Sequence, residues 1–355
     1  MNRIGFVTTS VVPNDGWGRY SCGVITSISA LEESVVVTNS SDNGVSEFGY
    51  YIHPIRFLDL NFLKTLQSYN KIKRTLKGCE LVHGLNEKTI GLLLYLKLTT
   101  KKKIFLTLHG TYAQVSLKMP FTACIKLLTY LLADGITSGS QHTINSIPLG
   151  SVRKKICFIP NGVDTTLFFP AKAQLPRDYF LFVGALKYRK GPDILLEALA
   201  MAKSSTKLIL VGDQGNVRFF KELKSKIDEL DIHDKVEFRE FINEYELLNL
   251  YQNAISVVLP ARITKDSFEG FPMVIFEANA AGTPVISTRG FGADYAIVEE
   301  KNGFLIEQES VIQLAAALIK AQQLNCDSGM QESCLKVASD HDWKKIGVQI
   351  MDFYK

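Results

Sequence analysis

Short apolar runs alternate with stretches whose apolar residues recur every three to four positions, and this continues from one end of the chain to the other. The runs have strand length and the intervening periodicity is that of amphipathic helices, so the pattern predicts parallel sheets with crossover helices. In the first half, strands are expected at 4–9, 35–38, 81–83, 104–108 and 136–137, with helices at 22–31, 62–77 and 121–133. In the second half, runs at 179–184, 207–212, 236–238, 256–259 and 284–287 each precede a polar or glycine-containing loop and then a helical stretch. Ligands of such sheets bind at the carboxyl ends of the strands, which directs attention to those loops. Near the end of the chain Trp343, Ile346, Ile350 and Phe353 fall on one helical face. A break in the pattern at 159–164, containing the turn pair Asn161-Gly162 and followed by Pro170, marks the domain boundary.

Length agrees with two cores, because 355 residues exceed what a single hydrophobic core usually organises. The first nine residues carry one charge and too short an apolar run for a signal peptide, and no uninterrupted apolar stretch reaches spanning length. The expectation is a cytoplasmic protein. Cys22, Cys79, Cys124, Cys157, Cys326 and Cys334 form no Cys-x-x-Cys pair, so they read as reduced core thiols and not as a zinc site or disulfide framework. The net charge of +4 is unevenly shared, since residues 1–165 hold 18 Lys and Arg against 10 Asp and Glu. Basic clusters at 71–74, 101–103 and 153–155, with apolar neighbours at 92–96, fit an anionic membrane surface or an anionic acceptor. No base-reading module accompanies them, so nucleic acid is not the expected partner. A solvated basic face is the plain alternative.

Candidate chemistry is densest at Phe268-Glu269-Gly270-Phe271-Pro272-Met273-Val274-Ile275-Phe276-Glu277. Pro272 suits a first helical turn, where its missing N–H would lack a partner anyway. Glu269 is then expected before the helix and Glu277 inside it, with the amides of Gly270 and Phe271 near an anion. One carboxylate can accept from a sugar's hydroxyls and the other from a ribose diol. A second candidate is the loop at 183–193, which places Arg189 and Lys190 between a strand and a helix, where cations can neutralise a diphosphate.

The segment 269–277, followed by Ala280-Ala281-Gly282-Thr283-Pro284, resembles the Glu-x7-Glu motif of retaining glycosyltransferases of family 4. The likeness covers nearly the whole chain and is densest from 159 to 306. It implies a GT-B fold, an α/β architecture of two Rossmann-like domains facing each other across a cleft. Residues 1–164 would bind the acceptor, 165–338 the nucleotide sugar, and the helix at 339–355 would return to the first domain. The donor set would include Gly270, Phe271, Pro272, Met273, Val274 and Glu277, with Glu269 acting at the sugar. Lys190 is similar to the family lysine that stabilises the leaving diphosphate. The family's arginine after the loop glycine is Ala185 here, which leaves that role to Arg189 or unfilled. Residues 14–20, with Gly16 and Gly18, resemble the family's glycine-rich loop after the first strand, although Trp17 replaces a usual glycine. His109, in Thr107-Leu108-His109-Gly110, is similar to the family histidine near the anomeric centre. Phe241 and Ile242 fall in the stretch that flanks the base, and 161–164 reads as a hinge turn. Where relatives have Gly-Gly-x-Pro-Glu, residues 290–294 read Gly-Phe-Gly-Ala-Asp, so that part of the pocket does not transfer.

The resemblance implies transfer of a sugar from a nucleotide-diphosphate donor to an acceptor hydroxyl with retention. The acceptor would be a bacterial surface polysaccharide or lipid-linked glycan, reached from the cytoplasmic face of the membrane. No metal or other cofactor is expected, since a helix dipole and Lys190 can serve in place of a cation and Asp42, Asp59 and Asp134 stand alone. A nucleotide-sugar epimerase or hydrolase and a non-catalytic nucleotide-binding relative remain as alternatives. A dehydrogenase does not, because no Gly-x-Gly-x-x-Gly follows a strand.

Overall fold

The computed structural model describes residues 3–13, 16–39, 44–45, 51–56, 62–115, 119–172 and 177–355. Asn14, Asp15, Asp42, Asp59 and residues 173–176 lie outside them. The chain divides into two units, Met1–Gly162 with Trp343–Lys355, and Val163–Asp342.

The first unit runs β1 (Ile4–Thr8), α1 (Gly16–Ser29), β2 (Ser34–Thr38), β3 (Gly44–Val45), β4 (Tyr51–Pro54), α2 (Phe62–Thr75) and β5 (Leu81–Gly84). It continues with α3 (Ile90–Thr99), β6 (Lys103–Leu108), α4 (Pro120–Leu132), β7 (Gly135–Ser138), α5 (Gln141–Asn145), α6 (Gly150–Arg153) and β8 (Ile156–Phe158). The second unit runs β9 (Tyr179–Val183), α7 (Pro192–Met201), β10 (Lys207–Val211), α8 (Val217–Leu230), β11 (Val236–Arg239), α9 (Glu244–Asn253) and β12 (Ala254–Leu259). Next come α10 (Val274–Ala280), β13 (Val285–Thr288), α11 (Ala293–Ala296), β14 (Gly303–Ile306), α12 (Val311–Gln323) and α13 (Ser328–Asp340); α14 (Trp343–Phe353) belongs to the first unit.

Among the described residues the first sheet has the order β3-β4-β2-β1-β5-β6-β7-β8, parallel except for the β3–β4 edge pair. The second has the order β11-β10-β9-β12-β13-β14 and is parallel throughout. Strands such as 4–8 and 254–259 are buried at every position, as strands covered by helices on both faces must be. Strand order reverses between β1 and β5 in one sheet and between β9 and β12 in the other. Loops leaving those strands therefore diverge and open a crevice at the carboxyl edge.

The helix α14 packs on α1 through buried Trp343, Ile346, Gly347 and Ile350. A Cβ on Gly23 would lie 2.0 Å from the Trp343 ring, so this approach requires glycine. Beyond α14, the Tyr354 hydroxyl reaches His83 Nδ1 at 2.6 Å, and His83 Nε2 meets Thr107 Oγ1 at 2.9 Å. Thr107 Oγ1 also bonds Tyr20 and Thr137, a buried polar knot joining α1, β5, β6 and β7.

Several expectations change. The strands at 156–158 and 303–306 and the helix α3 were not signalled by the pattern. Leu92, Leu93 and Leu96 are fully buried in α3, so the apolar run beside the basic clusters is core and not a lipid-facing patch. Cys22, Cys79 and Cys334 are buried thiols, but Cys124 and Cys326 are exposed. Gly16 and Gly18 lie in the first turn of α1, not in a loop before it. Helix α10 starts at Val274, leaving Pro272 ahead of the helix, where its carbonyl accepts from Ile275 N–H at 3.2 Å.

Candidate functional site

At the reversal of the second sheet, the loop leaving β9 and the loop leaving β12 meet. The first tightens into a 3-10 turn at Tyr188–Lys190 and ends on Gly191, whose φ of 74° is the left-handed conformation glycine tolerates. A Cβ there would lie 2.0 Å from the Pro260 carbonyl oxygen, so the two loops touch backbone to backbone. From the second loop Glu269 accepts from both cations of the first, pairing with Arg189 Nη1 and with Lys190 Nζ at 2.9 Å. Burial alone would raise the Glu269 carboxyl, but Lys190 and Arg189 outweigh it and hold the group below the usual carboxylate range. The result is two cations and one ionised carboxylate, mostly shielded from water, at the position where doubly wound sheets take ligands.

Sequence reasoning missed the residue that fixes this turn. Arg262 is 4% exposed. It grips Asp193 with two bonds of 2.7 Å, donates to the Tyr188 carbonyl at 2.7 Å, and lies over the Tyr188 ring at 4.1 Å. Its own N–H donates to the Arg189 carbonyl at 2.8 Å. An arginine close after a strand-ending proline was the available signal, and nothing local distinguishes it from a surface cation. Gly292 was also missed. Its N–H donates to the Gly270 carbonyl at 3.0 Å, and a Cβ would fall 2.6 Å from that oxygen, so the non-transferable 290–294 stretch folds against Gly270 and Phe271.

Glu277 is separate from the cation cluster. It is buried in α10 and its Oε2 accepts from the Tyr251 hydroxyl at 2.8 Å. Met273 is the N-cap of that helix and Val274 its first residue. Phe241 follows β11 with φ 53° and is 99% exposed, while Ile242 is half-buried. A bulky side chain in the left-handed region, fully offered to solvent, is a strained arrangement of the kind that collects at functional sites.

His109 lies in the first unit, at the carboxyl end of β6. Its Nε2 is 2.9 Å from the Leu85 carbonyl. A carbonyl only accepts, so Nε2 carries the proton and Nδ1 keeps the lone pair. Burial pulls the imidazole down to about 4, only partly opposed by the Leu85 bond, and the ring is neutral at pH 7. Tyr20 packs edge-on against it at 4.5 Å. Glu87, in the loop leaving β5, accepts the His109 backbone N–H with Oε1, while its buried Oε2 has no hydrogen-bond partner. Burial pushes this carboxyl up to about 7, against the lowering effects of the His109 amide and of Lys126. Glu87 was not signalled, because a lone Glu in a helix-starting stretch looks like a solvated acid. Gly16 and Gly18 begin α1 at the same carboxyl edge, and a Cβ on Gly16 would meet nothing within 4 Å. No group of three or more His, Cys, Asp or Glu placed to hold a metal occurs among the described residues.

Two family models match: glycosyl transferases group 1 over residues 164–336, and glycosyltransferase family 4 over residues 29–167. The D-inositol 3-phosphate glycosyltransferase of Arthrobacter sp. (strain FB24) is 33% identical over 162 residues, covering 42% of this chain and 37% of that protein. The putative colanic acid biosynthesis glycosyltransferase WcaL of Escherichia coli (strain K12) is 28% identical over 182 residues, covering 50% and 45%. The chain thus spans less than half the length of these curated relatives. Among solved structures, Anabaena Alr3699/HepE in complex with UDP superposes with a TM-score of 0.83 at 19% identity, covering 100% of this chain and 99% of that one. The lipopolysaccharide outer core galactosyltransferase WaaB, in its apo form, gives 0.70 at 16%, covering 99% of each. These likenesses show the fold, GT-B.

Proposed function

Because the chain belongs to the group 1 and family 4 glycosyltransferases, we propose that it is a retaining enzyme moving a sugar from a nucleotide diphosphate to an acceptor hydroxyl. The observation that carries this is the Arg189–Lys190–Glu269 cluster at the reversal of the second sheet. A donor's diphosphate displaces Glu269 from the two cations, and the released carboxylate is then an acceptor for the sugar's hydroxyls. Arg189 brings a second charge to the phosphates where Ala185 replaces the family arginine. Negative charge grows on the diphosphate as the glycosidic bond breaks, so Lys190 acts most in the transition state. The chemistry needs no metal ion on this reading. Glu277 takes the ribose diol in a position set by Tyr251, and Phe241 offers an aromatic face for the base. His109, neutral and with its lone pair on Nδ1, acts at the sugar.

A uridine nucleotide is the favoured donor, supported by the UDP and UDP-glucose complexes of Alr3699/HepE. The acceptor is a surface polysaccharide or lipid-linked glycan, supported by the names of WcaL and WaaB. The place of action is the cytoplasmic face of an anionic membrane. The test is a panel of nucleotide sugars followed by Lys190→Ala with the accepted donor. A kcat about a hundredfold lower, with a much smaller change in donor affinity, is expected. Unchanged turnover would remove Lys190 from the phosphate site. Release of an epimer or free sugar with every acceptor tried would instead favour the epimerase or hydrolase reading.

A further inference from the structure

Helix α4 has one charged residue, and it is turned inward. Lys126 Nζ donates to the Tyr112 and Gln114 carbonyls, 2.8 Å each. Ala123, Thr129 and Tyr130 pack the helix onto the unit. The opposite face consists of Phe121, Cys124, Leu128, Leu131 and Leu132, all exposed, with Phe121 at 79%. Their spacing places them on a single apolar stripe. Met119, 62% exposed, extends it at the N-terminal end. An ordinary solvated helix such as α8 shows the contrast, presenting Arg218, Lys221, Glu222 and Lys224 to water. A continuous uncharged stripe of this length marks a contact surface.

Charge identifies the occupant. In a parallel sheet the segments that enter strands share one edge, so the basic clusters preceding β5, β6 and β8 all belong to the amino edge of the first sheet. Helix α4 ends at that edge, where Lys155 Nζ donates to the Leu131 and Ala133 carbonyls and Arg153 and Lys154 are exposed. It begins at the carboxyl edge, where His109 and Glu87 lie. A body resting on the amino edge alone would be remote from the chemistry, whereas one lying along α4 meets both edges. We propose that α4 lies flat in the interface of an anionic bilayer, its stripe among the acyl chains and the cations around its C-terminal end against the headgroups. The carboxyl edge then borders the membrane, which is how a lipid-borne acceptor would reach it; that last step rests on the function proposed above. Lys102 is not a main contact, since its ammonium is held by the Lys77 and Cys79 carbonyls.

The experiment uses the full chain with Cys326→Ser and a polarity-sensitive dye on Cys124. Mixed phosphatidylglycerol–phosphatidylcholine vesicles should shift the dye emission to the blue, and phosphatidylcholine vesicles should do so far less. The pair Phe121→Glu and Leu128→Glu should lower cosedimentation about tenfold without changing hydrolysis of a soluble donor. Binding is read without nucleotide sugar, so a failed transferase assay leaves the result standing. Absence of vesicle binding by the unaltered chain, or equal binding by the Glu variant, would overturn the proposal. So would a dimer in sedimentation equilibrium that the Glu variant abolishes, since a second copy would then cover the stripe.

Discussion

At the scale of single residues, the buried carboxyl of Glu87 titrates close to neutral pH. Glu87 rises to about 7 through burial, and its neighbours are His109, Lys126 and Tyr130. An acid whose folded value is raised binds its proton more tightly in the native state. Its contribution to stability is therefore complete at low pH and is lost as pH climbs through 7. His83 and His109, lowered by burial to about 3 and about 4, act oppositely and lose stability as pH falls below the ordinary histidine range. The two effects offset one another between roughly pH 4.5 and 6.5. Replacing Glu87 by Gln should raise stability at pH 8, by on the order of 3 kcal/mol if the amide fits the site. The same replacement should steepen the loss of stability toward pH 5. Urea unfolding at several pH values reads both effects, and parallel curves for the variant and the unaltered chain would mean that Glu87 titrates as an ordinary surface acid.

At the scale of elements, the 3-10 turn carrying Arg189 and Lys190 is held by its own backbone bonds, Lys190 N–H to the Lys187 carbonyl at 2.8 Å and Gly191 N–H to the Tyr188 carbonyl at 3.1 Å, and is anchored to the neighbouring loop by Arg262. Substituting Arg262 by Met leaves the half-buried Asp193 without its guanidinium partner and takes one of two donors from the Tyr188 carbonyl, which should cost about 3 kcal/mol. The double variant with Asp193→Leu should regain most of that stability and still turn over slowly, because the turn has lost its anchor. Recovery of both by the double variant would make the pair a stability element only. This clamp also shows what was legible in the chain. Arg189 and Lys190 lie in one short segment and Glu269 and Glu277 in another, and the strand–loop–helix pattern around each could be read directly. Arg262 joins residues about seventy positions apart, and the charge pattern along the chain holds no trace of that pairing. The strands 156–158 and 303–306 escaped because three or four apolar residues carry too little periodicity to stand out. The helix α3 escaped for another reason. Apolar on nearly all sides, it lacks the polar face that announces a helix, and its leucines resembled a surface patch beside lysines.

At the scale of the whole molecule, the two units are unequal in how they use the chain. The second is one continuous segment, and its core draws only on residues between Val163 and Ala338. The first is discontinuous, since Trp343, Ile346 and Ile350 complete the packing of α1 and Tyr354 closes the hydrogen-bond chain through His83. Loss of the Trp343 side chain alone should cost about 3–5 kcal/mol, a large part of the stability of a domain this size. A fragment of residues 163–342 is therefore expected to unfold cooperatively in urea. It should also bind uridine diphosphate, since Arg189, Lys190, Glu269 and Glu277 all lie within it. In that fragment Glu277→Ala should weaken the nucleotide about a hundredfold, the loss of charge-assisted bonds to a diol. Residues 1–162 should be unstable alone and should recover a cooperative transition when 343–355 is joined through a short linker. Equal stability of the first-unit fragment with and without the final helix would show that α14 decorates this core instead of completing it.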